Sequence, residues 1–327
     1  MDYTYLGRTG LRVSRLCLGT MNFGPRTSEP DSHAIMDAAH DAGINFFDTA
    51  NRYGTEPGET ETILGNWFAT GGGRRERTVL ATKVYGDMGV YGDMADWPNA
   101  GKLSALSIRR NLDASLRRLQ TDYIDLYQFH HVDRNTPWEE IWQAIEVAVT
   151  AGKILYAGSS NFAGWHIAEA QAAAAERNLL GLVSEQSLYN LLVRDIEREV
   201  VPAAQHYGLG IIPWSPLQGG LLGGVIKKTE AGVRRVEGRA AESLAVHHDQ
   251  IEAYEDFAEE IGTDPSTLGL GWLLSRPAVT APIIGPRTRD QLDGALGAVE
   301  LDLSAEHLDR LDQIFPGYQT APEDYAW

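Results

Sequence analysis

Cysteine is almost missing from this chain of 327 residues: Cys17 is the only one, and no intramolecular disulfide can form. It sits inside the apolar run RLCLGT, which reads as a buried, inert thiol. Positive charge is also short, with 28 Lys and Arg against 45 Asp and Glu and a formal net charge of −17. Nucleic acid and anionic membranes bind basic faces, so neither is an expected partner, and the excess of acid reads as a solvated surface. No uncharged apolar stretch is long enough to span a bilayer. The first residues lack the basic segment and apolar core of a signal peptide, so a cytoplasmic location is expected by default. Internal repeats, low-complexity tracts and linker-like boundaries are missing too, and residues 1–327 read as one domain. The 43% apolar and 22% charged composition is that of a soluble globular protein.

Short apolar, β-branched runs alternate with longer helical patterns, which points to β/α units and a parallel sheet. Eight strand candidates stand out: 15–21, 44–54, 78–84, 123–131, 154–161, 182–190, 209–216 and 281–285. Eight such units suggest an α/β protein of the closed (β/α)8 TIM-barrel type. No GxGxxG turn follows the first strand, as a dinucleotide-binding Rossmann unit requires. GGLLGG (219–224) has the glycines, but it follows the seventh strand with no acidic residue placed for a ribose. Before the first strand, MDYTYLGRTGLRVS reads as a hairpin turning between Gly7 and Gly10, able to close the barrel bottom. One helix is expected from Thr136, with Pro137 first and Glu139 completing a capping box, to Gly152. Another, near 107–120, carries Ile108, Leu112, Leu116 and Leu119 on its inner stripe and Arg109, Arg110, Arg117 and Arg118 on a solvated face. Long connections at 85–103 and 217–250 read as lids over the C-terminal face.

Three of the runs, INFFDTANRYG, TVLATKV and YIDLYQFHH, stay apolar until a polar residue appears at the C-terminal end. In a parallel barrel that end carries the catalytic side chains. Asp48, Tyr53, Lys83 and His130 fall there. Hydride reduction of a carbonyl leaves a developing alkoxide, which needs a proton donor and positive potential nearby. A tyrosine whose pKa, about 10 in water, is brought down by a neighbouring cation can give that proton. Lys83 could supply the field, Asp48 could hold Lys83, and His130 could orient the carbonyl oxygen. Singly, each has an ordinary structural reading, since a Tyr or His at a strand end is often a satisfied core residue. An ammonium ending an apolar strand is harder to explain without a partner or a purpose. No metal-ligand set is read, because His130 and His131 are adjacent and would face opposite ways in a strand.

With these residues in view, the chain resembles the aldo-keto reductases, in the branch of the bacterial aldo/keto reductases and potassium-channel β subunits. The resemblance runs from YLGRTGLRVSRLCLGTMNFG through FFDTANRYG, ATKV, YIDLYQFHHVD and GSSNF to SEQSLYN, IIPWSPLQGG and PIIGPRTRDQL. It implies a (β/α)8 barrel using NAD(P)H, with Tyr53 as general acid, Lys83 and Asp48 as its tuning pair and His130 as the substrate-orienting histidine. It also implies a cofactor set. Gly19, Thr20 and Met21 would floor the nicotinamide site, with Asp48 shared between the two sets. Ser160, Asn161 and Gln186 would bond the carboxamide, and Trp214 would stack on the ring or pack in the core. Ser215, Leu217, Gly219 and Gly220 would approach the pyrophosphate. Gly285, Arg287 and Gln291 would hold the 2′-phosphate, favouring NADPH over NADH.

Two departures bear on that implication. Gly294 and Ala295 stand where the family has an acidic residue and an asparagine that clamp the adenine. Lys227, Lys228, Arg234, Arg235 and Arg239 either compensate by gripping phosphate or form a solvated loop. Asn51 and Arg52 also replace the family's more usual acidic and aliphatic residues, and Arg52 either adds charge at the pocket mouth or points away. Loops 22–33, 85–103 and 217–250 and the tail from Pro316 would set specificity. Their aromatics Phe23, Tyr85, Tyr91, Trp97, Tyr318, Tyr325 and Trp327 suggest an apolar mouth for aldehydes or ketones. The expected activity is NADPH-dependent reduction of a small carbonyl compound to an alcohol, with self-association left open. The rival expectation is a cofactor-binding regulatory subunit with little turnover, which the complete tetrad and the lack of a long N-terminal extension disfavour.

Overall fold

The computed structural model describes residues 1–86, 88, 98–232 and 239–326. Its main sheet has eight parallel strands: β3 (Cys17–Gly19), β4 (Phe46–Asp48), β5 (Val79–Val84), β6 (Ile124–Phe129), β7 (Ile154–Ser160), β8 (Leu182–Gln186), β9 (Gly210–Ile211) and β10 (Ile283–Ile284). The N-terminal hairpin supplies β1 (Tyr3–Tyr5) and β2 (Arg12–Ser14). The spatial order β10-β3-β4-β5-β6-β7-β8-β9 curls round until its ends meet. There Ile211 bridges Val279, and the Ile283 amide donates to the Pro213 carbonyl at 2.8 Å. The result is the expected (β/α)8 barrel, and all eight expected runs contain a strand. Every residue of β5 and β6 is buried, as in strands covered on both faces, which is why these runs read as continuously apolar.

Alternation along the strands sorts their side chains into two sets. Phe47, Leu80, Tyr127 and Phe129 face the helices and join the larger core. Cys17, Phe46, Val79, Ala81, Leu126, Val183, Ile212 and Ala281 fill the lower barrel interior, together with Leu6 and Val13 from the hairpin. The hairpin therefore plugs the barrel bottom as expected. Gly7 turns it with φ +54°, where an added Cβ would lie 2.5 Å from the Gly208 carbonyl oxygen. Only glycine fits that approach. Cys17 is buried and free, and burial pushes its thiol well above the usual range.

A register slip decides which residues of β8 face inward. Ala157 pairs with Leu182 but Ser159 with Glu185, so β8 carries one extra residue between these pairs. The slip reverses the alternation after Val183. Gln186 then points into the barrel, and Glu185 points outward. Gly158 makes the slip possible, since a Cβ there would sit 2.4 Å from the Ser184 hydroxyl.

Several expectations need correction. The helix after β6 is Trp138–Thr150 with Pro137 as its N-cap residue, and no side chain caps it. Thr136 donates instead to Asp133 Oδ2 at 2.8 Å, so the capping box does not form. The preceding helix, Ala105–Leu119 after β5, keeps its apolar stripe, but Arg118 is not on a solvated face. Its guanidinium donates to Glu61, which is fully buried. The 217–250 segment is not mainly loop: it holds the helix Val225–Glu230 and the first half of Arg239–Glu260. The plug makes one energetic claim. Leu6→Ala should lower stability by about 2–5 kcal/mol, read as a lower urea midpoint with an unchanged slope.

Candidate active site

The inward residues above the lower plug are polar. The Lys83 ammonium, fully buried at the end of β5, donates to Asp48 Oδ2 at 2.6 Å, to the Thr49 carbonyl at 3.0 Å and to the Tyr53 hydroxyl at 3.1 Å. Parallel pairing of β4 with β5 sets Asp48 opposite Ala81, two residues before Lys83 on the same inward face, and Tyr53 arrives from the turn after β4. The other carboxylate oxygen, Asp48 Oδ1, accepts from Gln128 Nε2 and Gln186 Nε2, each at 2.9 Å. The His130 ring stands edge-on to the Tyr53 ring, with centroids 6.0 Å apart. Asp48, Tyr53, Lys83 and His130 are thus brought together at the C-terminal barrel mouth.

Burial is the largest influence on each of the three titrating groups. It works against the charged form of Lys83, but the contacts to Asp48 and Tyr53 together outweigh it and hold the ammonium above its usual range. For Tyr53, burial raises the phenol and the Lys83 cation lowers it, with burial prevailing. The cation acts in the direction expected from the sequence without bringing the phenol below its ordinary value. His130 is pushed down to about 3 by burial, then by Lys83 and His131, and stays a neutral imidazole. His131 does not face the opposite way. β6 ends at Phe129, and beyond it the two imidazoles stack with planes 2° apart and centroids 5.0 Å apart.

Segments implied in cofactor binding lie around the same mouth. Gly19 and Thr20 are buried at the end of β3, and the Thr20 hydroxyl donates to the Asp48 carbonyl. Met21 is 60% exposed beside them. Asn161, with φ +60°, donates to the His130 carbonyl and the Ser160 hydroxyl and accepts from the Trp214 indole at 3.1 Å. Trp214 is half-buried, so its ring is not enclosed in core. Ser215, Gln218, Gly219 and Gly220 all have positive φ, and the Asn190 amide holds the turn by donating to the Ser215 carbonyl and Gln218 Oε1. A Cβ on Gly219 would meet nothing within 4 Å, so this turn, with Leu217 at its start, leaves its backbone open. Across the mouth, Gln291 Oε1 accepts from the Arg287 amide, the Gly285 carbonyl accepts from Asn22, and the Arg287 side chain is exposed.

The sequence model of the Aldo/keto reductase family matches residues 15–315. The chain belongs to the aldo/keto reductase family. It is 55% identical to the uncharacterized oxidoreductase YrpG of Bacillus subtilis (strain 168), over the full length of both chains. It is 32% identical to versiconal hemiacetal acetate reductase of Aspergillus parasiticus, over 96% of this chain and 97% of that one. It is also 32% identical to a probable voltage-gated potassium channel subunit beta of Oryza sativa subsp. japonica, over 99% and 100%. The family generally uses NAD(P)H and acts on small molecules, and this aldo/keto reductase is an oxidoreductase. No helix among the described residues is long and apolar enough to cross a membrane.

Other readings of this aldo/keto reductase change. Phe23 is fully buried in the core and does not line the mouth. Tyr85 packs edge-on to His131, Tyr318 lies under the Arg198 guanidinium, and Tyr325 is exposed. Tyr91, Trp97 and Trp327 lie outside the described residues, as do Arg234, Arg235 and the side chain of Arg239. Lys227 is engaged by Asp256 and Glu259, and Lys228 by the Gly223 carbonyl and Asp264, so both have partners within the chain. Arg52 is exposed, with its stem against Gly86. Gly294 is exposed and Ala295 buried, so neither offers a polar group to an adenine.

Sequence reasoning passed over Gln128, although it lies two residues before His130 and therefore on the same inward face. It also missed Glu185, fully buried outside the barrel wall. Glu185 accepts from the Ser159 and Ser187 hydroxyls and the Phe162 amide, and burial lifts its carboxyl to about 7.

The buried imidazole gives a pH prediction. The unfolded chain takes a proton on His130 near the ordinary 6.5, whereas the folded chain does so only at about 3. His130 therefore draws down stability as pH falls below about 6.5, with the loss growing until about 3. In NMR spectra its ring carbon-bound protons should hold constant shifts from pH 8 to pH 5.

Proposed function

We propose that the chain reduces an aldehyde or ketone to an alcohol with NADPH, and that Tyr53 gives the proton. The observation that carries this reading is the Lys83 ammonium, fully buried and donating at once to the Asp48 carboxylate and the Tyr53 hydroxyl. A carbonyl oxygen beside Tyr53 and His130 would sit within reach of a phenol O–H and a neutral imidazole. Burial keeps Tyr53 protonated at neutral pH, so the donor is loaded before reaction. As the oxygen gains charge, Lys83 stabilises the phenolate that proton transfer leaves behind. Asp48 holds Lys83 in place without closing its contact to Tyr53. His130, kept neutral, offers a hydrogen bond that orients the carbonyl without competing as the acid.

The residues present fit a nicotinamide dinucleotide. The turn with positive φ at 215 and 218–220 leaves backbone open to a pyrophosphate, and the half-buried Trp214 could cover one ring face. When bound, that cofactor supplies the hydride. The Arg287 guanidinium, on the rim beside Gly285 and Gln291, suits a 2′-phosphate, which is why we read NADPH rather than NADH.

A regulatory, weakly turning-over role is the second reading, motivated by the likeness to the rice channel subunit. Both readings include cofactor binding, so turnover separates them. Tyr53→Phe should lower kcat for activated aromatic aldehydes by about 10²–10⁴-fold while NADPH fluorescence titration stays within about twofold. A wild-type chain that binds NADPH but turns over no aldehyde would favour the regulatory reading. Arg287→Ala should raise KM for NADPH about tenfold or more and leave KM for NADH little changed.

A further inference from the structure

Beside the tetrad lies a closed three-membered hydrogen-bond set. Asp48 Oδ1 accepts from Gln128 Nε2 at 2.9 Å and from Gln186 Nε2 at 2.9 Å, and Gln186 Nε2 also donates to Gln128 Oε1 at 3.2 Å. Gln128 is fully buried and Gln186 nearly so. An amide can present either end to a neighbour, and heavy-atom positions alone do not distinguish them. Here the chemistry distinguishes them. A carboxylate only accepts, so both amides must turn nitrogen toward Asp48. Gln128 then has its oxygen left, and that oxygen takes the second N–H of Gln186. An amide nitrogen carries two hydrogens, and both of those on Gln186 are engaged. Gln186 has nothing but its carbonyl oxygen to offer anything else.

We propose that Gln128 is a positioning residue that locks the amide of Gln186, so that Gln186 presents an acceptor alone to the ring substituent of the nicotinamide. The inference rests on the cofactor reading above and adds a selectivity to it. The site then demands an N–H on that substituent, and a carboxamide has one whereas a methyl ketone has none. Gln128 touches neither ring nor substrate. It acts through Gln186 and through Asp48, whose second oxygen it helps to satisfy, and so keeps Asp48 aligned on Lys83.

The register supports the assignment. Gln128 pairs with Lys83 on one side and Gly158 on the other, and the β8 slip brings Gln186 over the gap that Gly158 leaves. Without Gln128, the second N–H of Gln186 loses its acceptor and is free to turn to one on a bound molecule. An unmatched buried acceptor costs enough to weaken binding by about tenfold or more.

The test compares NADPH with its reduced 3-acetylpyridine analogue, whose methyl ketone replaces the carboxamide, in fluorescence titrations of the wild-type chain and Gln128→Met. Methionine keeps the length of glutamine and removes both its donor and its acceptor. The wild-type chain should bind the analogue about tenfold or more weaker, and Gln128→Met should shrink that ratio at least threefold. With an aldehyde substrate, Gln128→Met should lower kcat about tenfold and leave KM for the aldehyde within twofold. Thermal unfolding checks that the variant is folded, and if it is not, the wild-type ratio decides alone. Equal wild-type affinity for the two nucleotides overturns the inference, as does an unchanged ratio in a folded Gln128→Met. In either case NADPH binding and Tyr53-dependent turnover stand. A wild-type chain that binds neither nucleotide overturns the cofactor reading and this inference with it.

Discussion

An ammonium buried without solvent is the constraint from which the upper barrel follows. Lys83 is enclosed among apolar strands, and leaving its charge unpaired there would cost several kcal/mol. A carboxylate must therefore stand within reach on an adjacent strand, and β4 supplies Asp48. That carboxylate has a second oxygen, itself out of water, which needs donors of its own. Gln128 and Gln186 provide them from β6 and β8. Gln186 can do so only because β8 slips by one residue, and β8 can slip only because position 158 has no side chain. One buried charge thus specifies residues on four other strands.

The same pairing shapes what the mouth presents. Lys83 and Asp48 cancel at contact distance, His130 is held neutral, and Tyr53 keeps its proton. The four together show almost no net charge to an incoming molecule, although the chain carries −17 overall. In the proposed reduction such a pocket would match an uncharged carbonyl group, and Lys83 would act as the oxygen gained electron density. Preorganised dipoles and charges of this kind need no rearrangement at the moment of reaction.

Much of this was written in the sequence because burial on both faces leaves a continuous apolar signal. All eight strands were visible as runs, and Asp48, Lys83 and His130 were visible as the polar residues that interrupt them. Arg118 and Thr136 were misjudged because local pattern cannot show a partner from elsewhere in the chain: Glu61 buries one, and Asp133 takes the hydroxyl of the other. Phe23 sits in a segment that reads as loop, yet its ring enters the core. Gln128 looked like an ordinary interruption, since its meaning depends on what stands opposite on β8. The β8 slip itself leaves no trace in a single strand's pattern. It is a relation between two strands, and alternation read from either one alone would have placed Glu185, not Gln186, beside Asp48.

The barrel is not equally firm all round. β5 and β6 are six residues each and β7 is seven, whereas β9 and β10, which close the circle, are two residues each. The seam between them is held by few backbone bonds, among them Ile211 to Ala278 and Ile283 to Pro213. The segments that continue from these two strands are the 214–220 turn and the 285–291 rim. A ligand reaching from one to the other would lie across the seam like a clasp, and its occupancy would be felt as resistance of the whole barrel to opening. The part of the wall with the least hydrogen bonding of its own is thus the part where a bound molecule would contribute most to keeping the circle closed.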